Sequence, residues 1–328
     1  MKRHTLPIAL LAAMTALVSC KEEKGTNLPA ISGKAGEIIV VASKAQWESE
    51  AGSAIREALA SEYMVLPQKE PKFTLSDVPE ASINKLLKVH RNMLYLDIKL
   101  GNATSAKVRN DVWAHPQTMV VVSAPDETAA AQYITDNADM LVDAFEKAER
   151  DRSISNARHY EEVSLRNTVE SKFGGSPVFP TGYSLKKQTP DFLWISNETS
   201  YTNQGIFIYT FPYTGEDQLS VNGLIDKRNE VMKDNVPATM EGSYMITNPT
   251  ITPVDKEVSY NGISRIEIRS LWDTQNDFMG GPFVQHAFLS KDKSKVIVVE
   301  GFVYAPKYNK RNYLRQVEAI ICSFAWKE

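Results

Sequence analysis

The chain has 328 residues, and its 37 basic and 40 acidic side chains leave a formal net charge of −3 at pH 7. An acidic chain is a poor partner for nucleic acid, because affinity there comes from neutralising phosphates with Lys and Arg. With 43% hydrophobic and 9% aromatic residues the chain can bury a core. Its length suits about two domains of roughly 150 residues each.

The N-terminus has the pattern of a bacterial signal peptide. Lys2 and Arg3 precede an almost wholly apolar run over residues 6–18. This run is shorter than the about 20 residues that a membrane-spanning helix needs. It is followed by the sequence SC, and together they resemble a lipobox, in which a cysteine is acylated before cleavage. The pattern predicts a signal peptide over residues 1–19 and a lipidated Cys20 that anchors the protein to a membrane.

Charged residues follow this cysteine directly. Lys21, Glu22 and Glu23 resemble the surface-export signal of Bacteroidota lipoproteins, and a solvated spacer is the alternative of equal weight. Acyl chains on Cys20 would lie in the bilayer while these charges stay in water. We therefore expect an outer-membrane lipoprotein, on the cell surface or on the periplasmic face, with a flexible tether over residues 20–35.

The predicted N-terminal unit covers residues 36–173. A run of β-branched residues at 37–41 is typical of a buried strand, and residues 44–63 have the apolar spacing of a helix. Further elements are strands at 92–100 and 118–123 and a helical stretch over 126–171 that is interrupted near 151–153. This unit is therefore expected to contain both strands and helices.

A segment rich in Gly, Pro and Ser at residues 172–182 marks the boundary to a C-terminal unit over residues 174–328. Its predicted strands lie at 192–196, 205–211, 262–272, 284–290 and 295–304, and its helices at 217–233 and 309–324. The last helix is strongly amphipathic, so we expect one of its faces to be buried.

Strand, proline and helix follow one another three times, at Pro125, Pro212 and Pro306. Proline ends a strand because it has no N–H group to donate to the sheet. Many predicted strands follow one another without a helix, which argues against a doubly wound parallel sheet. We therefore expect an α+β fold of two related units, each a mainly antiparallel sheet with helices packed on one face.

The chain carries no recognisable catalytic or metal-binding motif. It lacks the C-x-x-C, H-E-x-x-H, G-x-S-x-G and P-loop patterns. Its histidines at positions 90, 115, 159 and 286 are scattered, with no two at ligand spacing on one helix. We therefore predict no catalytic residue, no metal and no cofactor. A carboxylate pair assembled from distant positions stays open, so a hydrolase acting on envelope or dietary polymers is the alternative function.

The stretch around NDFMGGPF holds an unusual density of large apolar side chains. One interpretation is an aromatic surface that contacts a glycan or a protein. Its residues are Trp272, Phe278, Met279 and Phe283, which Trp194, Tyr201, Tyr209 and Tyr213 could extend. Two glycines before a proline also mark a tight connection between strands. The alternative is a hairpin whose apolar side chains cover the edge of a sheet, with about half of the extending aromatics buried by alternation.

The last predicted helix begins with the cations Lys307, Lys310 and Arg311. Cations are unfavourable there, by about 0.3–1 kcal/mol each, because the helix dipole is positive at this end. Free backbone N–H groups and three cations together predict an anion site. Its ligand would be a phosphorylated glycan, a lipid head group or an acidic partner. The alternative is that Glu300, Glu318 or another acid of the chain neutralises the cluster.

Four stretches resemble an uncharacterised family of Bacteroidota lipoproteins that is catalogued only as a domain of unknown function. They are PDFLWISNET, GSYMIT, MGGPF and GFVYAPKYNKRNYLRQVEAII. The likeness extends over most of the mature chain and is densest after Pro190. It implies a lipoprotein of that phylum and supplies no catalytic residue. We therefore predict a non-enzymatic binding or assembly module of the cell envelope, for a glycan, a lipid head group or a protein partner.

Overall fold

The computed structural model describes residues 28–328. The predicted signal peptide over residues 1–19, the lipidated Cys20 and the export residues Lys21, Glu22 and Glu23 lie outside the described residues. Within residues 28–328, none of the helices combines the length and the apolar character that crossing a bilayer requires.

The N-terminal sheet contains five strands. They are β1 (Glu37–Val41), β2 (Thr74–Val78), β3 (Asn92–Ile98), β4 (Ser105–Asn110) and β5 (Thr118–Ala124). Their order across the sheet is β2-β1-β3-β5-β4. β1 is parallel to β2 and to β3, and β3 is parallel to β5, whereas β4 runs antiparallel beside β5.

This mostly parallel sheet corrects the prediction that each unit has a mainly antiparallel sheet. The chain leaves β1 through helices α1 (Lys44–Glu48) and α2 (Glu50–Leu59) before it enters β2. Parallel neighbours need such a crossover. The edge strands β2 and β4 were not predicted because none of their side chains is buried, so neither has an apolar pattern.

Long helices cover one face of this sheet and a short helix lies on the other, so the prediction of helices on one face holds only for the long ones. The N-terminal unit also contains α3 (Lys85–Lys88), α4 (Glu127–Asp136) and α5 (Ala138–His159). Side chains of α2, α4 and α5 pack with one face of β1, β3 and β5, where Ile55 and Phe145 meet Val40. The other face is covered by side chains of α3 and of the loop before β5. Ordered structure begins before residue 36, within the predicted tether. There the backbone of Ser32 is hydrogen-bonded to Val89 and Arg91.

The C-terminal unit is built on an antiparallel sheet of eight strands. These are β7 (Ser184–Gln188), β8 (Phe192–Glu198), β9 (Asn203–Pro212), β10 (Tyr244–Thr247), β11 (Val254–Tyr260), β12 (Ile263–Gln275), β13 (Gly280–Leu289) and β14 (Lys295–Tyr304). Their order is β10-β12-β13-β14-β9-β8-β7, and β11 also pairs with β12. A separate two-stranded ribbon joins β6 (Gly175–Ser176) to β15 (Ala325–Trp326).

Helices cover both faces of this larger sheet, which corrects the prediction of helices on one face. Helix α7 (Val221–Asn235) lies on one side, and α6 (Val163–Phe173) and α8 (Arg311–Cys322) lie on the other. Along β14, Val298 faces α7 while Val299 faces α8. A nearly continuous apolar run of this kind is typical of a strand buried on both faces.

The α+β class and the predominance of antiparallel pairing are confirmed. The two units differ in strand number and in strand direction, so they do not share one topology. Helix α8 lies between them, because it packs on β14 and also on α5 of the N-terminal unit. A glycine permits this packing, since a Cβ on Gly301 would lie 2.9 Å from the Val317 side chain.

Candidate functional site

The structure separates the residues of the predicted aromatic surface. Trp272 and Phe283 belong to the core on the α7 side of the sheet and are 3% and 1% exposed. Phe278 is fully exposed in the turn between β12 and β13, and Met279 is half-buried beside it. The four side chains therefore do not form one continuous surface.

Two of these residues, Trp272 and Met279, instead line a pocket of about 90 Å³. The pocket lies on the α7 side of the sheet, where the chain leaves α7. Aromatic side chains from three strands form much of its wall, and Asn203 and Thr274 contribute polar groups. The wall aromatics are Trp194 of β8, Trp272 of β12, and Phe302 and Tyr304 of β14. This aromatic pocket is the candidate functional site.

The strand register explains why the rings meet here. Alternation places Phe302 and Tyr304 on the same face of β14, opposite Gly205 and Asn203 of β9. A Cβ on Gly205 would lie 2.0 Å from the Phe302 ring, so only glycine lets this ring lie across the strand. The Phe302 ring in turn contacts Trp272 edge-on, with 5.7 Å between centroids.

These contacts continue across the sheet. Phe302 stacks on Phe207 at 4.7 Å between centroids, and Phe207 meets Trp194 edge-on at 5.7 Å. The indole N–H of Trp272 donates to the carbonyl oxygen of Val303 over 3.2 Å, which holds this ring in place. The aromatic wall is therefore fixed before any ligand binds.

Two polar atoms of the pocket residues lack hydrogen-bond partners. The Nε1 atom of Trp194 and the Oδ1 atom of Asn203 are both buried, and neither is hydrogen-bonded within residues 28–328. Leaving such a buried group unpaired costs about 1–3 kcal/mol. Hydroxyl groups suit such atoms, because a hydroxyl can accept from an indole N–H and can donate to an amide oxygen.

The other side chains define what chemistry the pocket supports. As far as the described residues form it, the lining contains no Asp, Glu, His, Cys, Lys or Arg. Tyr304 is the one residue of this lining, among those described, whose type commonly transfers protons in catalysis. The lining instead offers ring faces for stacking and two unpaired polar atoms for hydrogen bonds. Elsewhere in residues 28–328, no group of three or more His, Cys, Asp or Glu side chains is placed to hold a metal ion.

An acid of the chain itself occupies the predicted anion site at the start of α8. The carboxylate of Glu70 accepts hydrogen bonds from the backbone N–H groups of Lys310 and Arg311. Lys310 and Arg311 are buried, at 4% and 8% exposure, and Lys310 Nζ donates to Gln68 over 2.8 Å. This end of α8 therefore has the arrangement of the alternative interpretation, in which an acid of the chain neutralises the cations. The acid is Glu70 and not Glu300 or Glu318.

The third predicted cation is separate from these two. Lys307 is exposed, and its Nζ lies 4.1 Å from the ring centroid of Tyr201. The two acids that were named for this cluster have other partners. Glu300 forms a fully buried ion pair with Arg228 on the α7 side of the sheet, and Glu318 pairs with Arg269.

A buried charge network between β12, β13 and α8 was not found from the sequence. Glu267 Oε2 lies 3.1 Å from His286 Nε2, and Glu267 Oε1 accepts from Arg269 Nε over 2.7 Å. Arg269 also pairs with Glu318 of α8. Charged residues at every second position of β12 were the available signal, but that pattern is equally typical of a solvated face.

Burial and charge shift the pKa values in this network. Burial lowers the pKa of His286, although its bond to Glu267 opposes that change. Burial alone would raise the pKa of Glu267, but Arg269 and His286 outweigh it and hold that pKa below its usual range. Burial and Glu318 raise the pKa of the Cys322 thiol to about 12. The network therefore holds a neutral imidazole beside a carboxylate and keeps Cys322 as an unreactive thiol.

Two family models match parts of the chain. Residues 162–323 match a family model described as Domain of unknown function (DUF4837). Residues 31–158 match a second model, described as Domain of unknown function (DUF8532). These matches support the expected resemblance to an uncharacterised family. A search of curated proteins finds no significant match.

Solved structures resemble parts of the chain. A crystal structure from Bacteroides thetaiotaomicron VPI-5482 aligns with 8% identity and a TM-score of 0.27, over 47% of this chain and 46% of that one. A single-residue mutant of the protein Mog1 aligns with 9% identity and a TM-score of 0.28, over 47% of this chain and 90% of that one. The chain thus spans about half the length of the first of these structures.

Proposed function

We propose that the protein is a lipid-anchored binding module of the cell envelope and that its aromatic pocket holds the hydroxylated ring of a glycan. The observation that carries the proposal is the pair of unpaired atoms in the pocket residues, Trp194 Nε1 and Asn203 Oδ1. A sugar supplies hydroxyl groups that both donate and accept, together with an apolar ring face that stacks on aromatic side chains.

The size and charge of the pocket limit which ligands can bind. A volume of about 90 Å³ is well below the about 300–1,000 Å³ that is typical of ligand sites, so the pocket admits one edge of a single ring. A chain end or a branch sugar fits this description better than the middle of a polymer. No cation lines the pocket among residues 28–328, so an anionic lipid head group has no charge partner there.

The proposed lipid anchor is the acylated Cys20. The predicted signal peptide and Cys20 support attachment to the outer membrane, and Lys21, Glu22 and Glu23 support its outer face. Replacing Cys20 by Ala is expected to release the protein from washed membranes. Replacing the three charged residues by Ala is expected to remove the protein from the reach of protease added to intact cells. Membrane retention of Cys20→Ala would contradict the lipid anchor.

The pocket is tested by titrating neutral mono- and oligosaccharides into the full chain by calorimetry. Trp194→Phe keeps an aromatic ring and removes the N–H donor. The loss of one hydrogen bond of about 0.5–1.5 kcal/mol predicts affinity reduced by about two- to tenfold. The matched control is Phe278→Ala, because this exposed ring lies in the adjacent turn and outside the pocket lining. Equal binding by wild type and Trp194→Phe, or no binding to any sugar at millimolar concentration, would refute the proposal.

A further inference from the structure

A second and larger cleft lies beside the first residues of β12, whereas the aromatic pocket lies beside its last residues. The pairing of β12 with β13 stops at Ile266 and Ala287, although β12 begins at Ile263 and β13 continues to Leu289. The first residues of β12 and the last residues of β13 are therefore not paired with each other. The cleft beside them has a volume of about 790 Å³, which is within the range of about 300–1,000 Å³ typical of ligand sites.

A buried arginine lines this cleft. Arg265 is 2% exposed, and its Nη atoms donate to carbonyl oxygens of Tyr260, Ile321 and Phe324 over 2.7 to 3.2 Å. Nη1 also lies 3.4 Å from Nδ1 of His286. The Nε atom is buried and has no partner within residues 28–328. One donor of this guanidinium group is therefore unsatisfied.

The charge of Arg265 is also incompletely balanced. Its hydrogen-bond partners are carbonyl oxygens and an imidazole that burial keeps neutral. The nearby carboxylate of Glu267 is already shared between Arg269 and His286. Burial lowers the pKa of Arg265 to about 10, in keeping with the cost of a buried charge that lacks a counterion.

The rest of the cleft combines cations with apolar surface. Lys291 and Lys293, in the turn between β13 and β14, are exposed at its edge. Ile263, Phe288 and Trp326 supply apolar wall, and Glu257 is an acid in the lining. Counting Arg265, the lining residues carry three cations and one acid among the described residues, so the cleft is positive.

We propose that this cleft binds an anionic amphiphile, a molecule in which an oxyanion is joined to an apolar chain. The oxyanion accepts the free Nε donor of Arg265 and supplies the missing counter-charge. The apolar part packs against the half-buried ring of Trp326, and the two lysines attract the ligand at the rim. This site is independent of the aromatic pocket, which lies at the opposite end of β12.

The test measures binding of three probes to the full chain by calorimetry: dodecanoate, dodecyl phosphate and the neutral dodecanol. We expect at least one anion to bind at least tenfold more tightly than dodecanol, with an affinity that falls as salt increases. Tighter binding of dodecanoate identifies a carboxylate ligand, and tighter binding of dodecyl phosphate identifies a phosphate ligand. Dodecanol binding as tightly as both anions, or no binding of either anion, would overturn the proposal.

Variants assign the binding to this cleft. Arg265→Gln is expected to weaken anion binding at least tenfold. The double change Lys291→Gln with Lys293→Gln affects exposed side chains only, and we expect it to weaken binding two- to fivefold and to reduce its salt dependence. The surface control Lys85→Gln, in the N-terminal unit, is expected to bind like wild type. If Arg265→Gln fails to fold, an unchanged salt dependence of the double variant is enough to refute the site.

Discussion

The carboxylate of Glu70 accepts a hydrogen bond of 2.5 Å from the backbone N–H of Lys310. Its second oxygen accepts from the N–H of Arg311 over 3.1 Å. Glu70 lies in the N-terminal unit and Lys310 begins the last helix of the C-terminal unit, so one side chain caps α8 and connects the two units. The same acid offsets two buried cations at a helix end where cations are unfavourable.

Removing the charge of Glu70 is therefore expected to destabilise the protein. Glu70→Gln should lower the free energy of unfolding by about 2–4 kcal/mol, because it weakens a helix cap and leaves buried cations less well balanced. Urea unfolding followed by circular dichroism measures this change. The control is Glu62→Gln, whose surface ion pair with Lys69 is worth at most about 1 kcal/mol. A similar loss in both variants would show that Glu70 has no special role.

Vacating this helix end is also expected to expose the anion site that the sequence suggests. In Glu70→Ala, inorganic phosphate should bind the free N–H groups and raise the melting temperature by more than it does in wild type. Sodium chloride at equal ionic strength is the control for general salt effects. Identical phosphate responses of the two proteins would contradict an anion site at this position.

The buried imidazole of His286 predicts that stability depends on pH. The folded protein holds the pKa of His286 below its usual value of about 6.5. The unfolded chain therefore binds the proton first as pH falls, so stability is full above about pH 6.5 and declines below it. The expected slope is at most about 1.4 kcal/mol per pH unit. Unfolding free energies at pH 7.5 and pH 5 measure the difference.

His286→Gln is expected to reduce this difference, because the variant keeps a hydrogen-bond donor and loses the titrating group. The exposed His159 provides the matched control, and His159→Gln should leave the pH dependence as in wild type. If wild type is equally stable at both pH values, the imidazole is not held neutral by the fold.

Because α8 packs closely on β14, adding a single methyl group at Gly301 is expected to lower the stability of the protein. Gly301→Ala places a Cβ 2.9 Å from the Val317 side chain and should cost about 1–3 kcal/mol of stability through overpacking. The double variant with Val317→Ala should lose less stability than the sum of the two single losses, because it removes one of the crowded methyl groups. Gly215→Ala is the control, since a Cβ there has no neighbour within 4 Å. Additive losses in the double variant would argue against steric contact as the cause.

Replacing the buried side chain of Gln285 is expected to stabilise the protein. This side chain is 0% exposed beside Glu300, and neither its amide nitrogen nor its amide oxygen has a partner within residues 28–328. Gln285→Met keeps the shape and removes the unpaired amide, so stability should rise by about 1 kcal/mol. Gln204→Met should instead lower stability, because the Gln204 amide donates to Tyr313 and Gln316. A destabilised Gln285→Met variant would indicate an ordered water that pairs this amide.

Local patterns in the sequence determined the α+β class and the interior elements. β14 and α8 were predicted because their apolar side chains recur at the periods of a strand and a helix, and this signal is carried within one element. The edge strands β2 and β4 gave no such signal, since none of their side chains is buried. The directions of the strands in the N-terminal sheet could not be predicted either, because a local pattern does not show which strands pair.

The tertiary structure alone decided the composition of the sites. Trp272 and Met279 were predicted as binding residues, with Trp194 as a possible extension, but Asn203 was not predicted. Trp194 and Asn203 reach the pocket only through the strand order β12-β13-β14-β9-β8. The acid that neutralises the start of α8 is 240 residues away from Lys310 in the sequence. Apolar periodicity reports which face of an element is buried, whereas the partner of a charged group is determined by which elements the whole fold brings together.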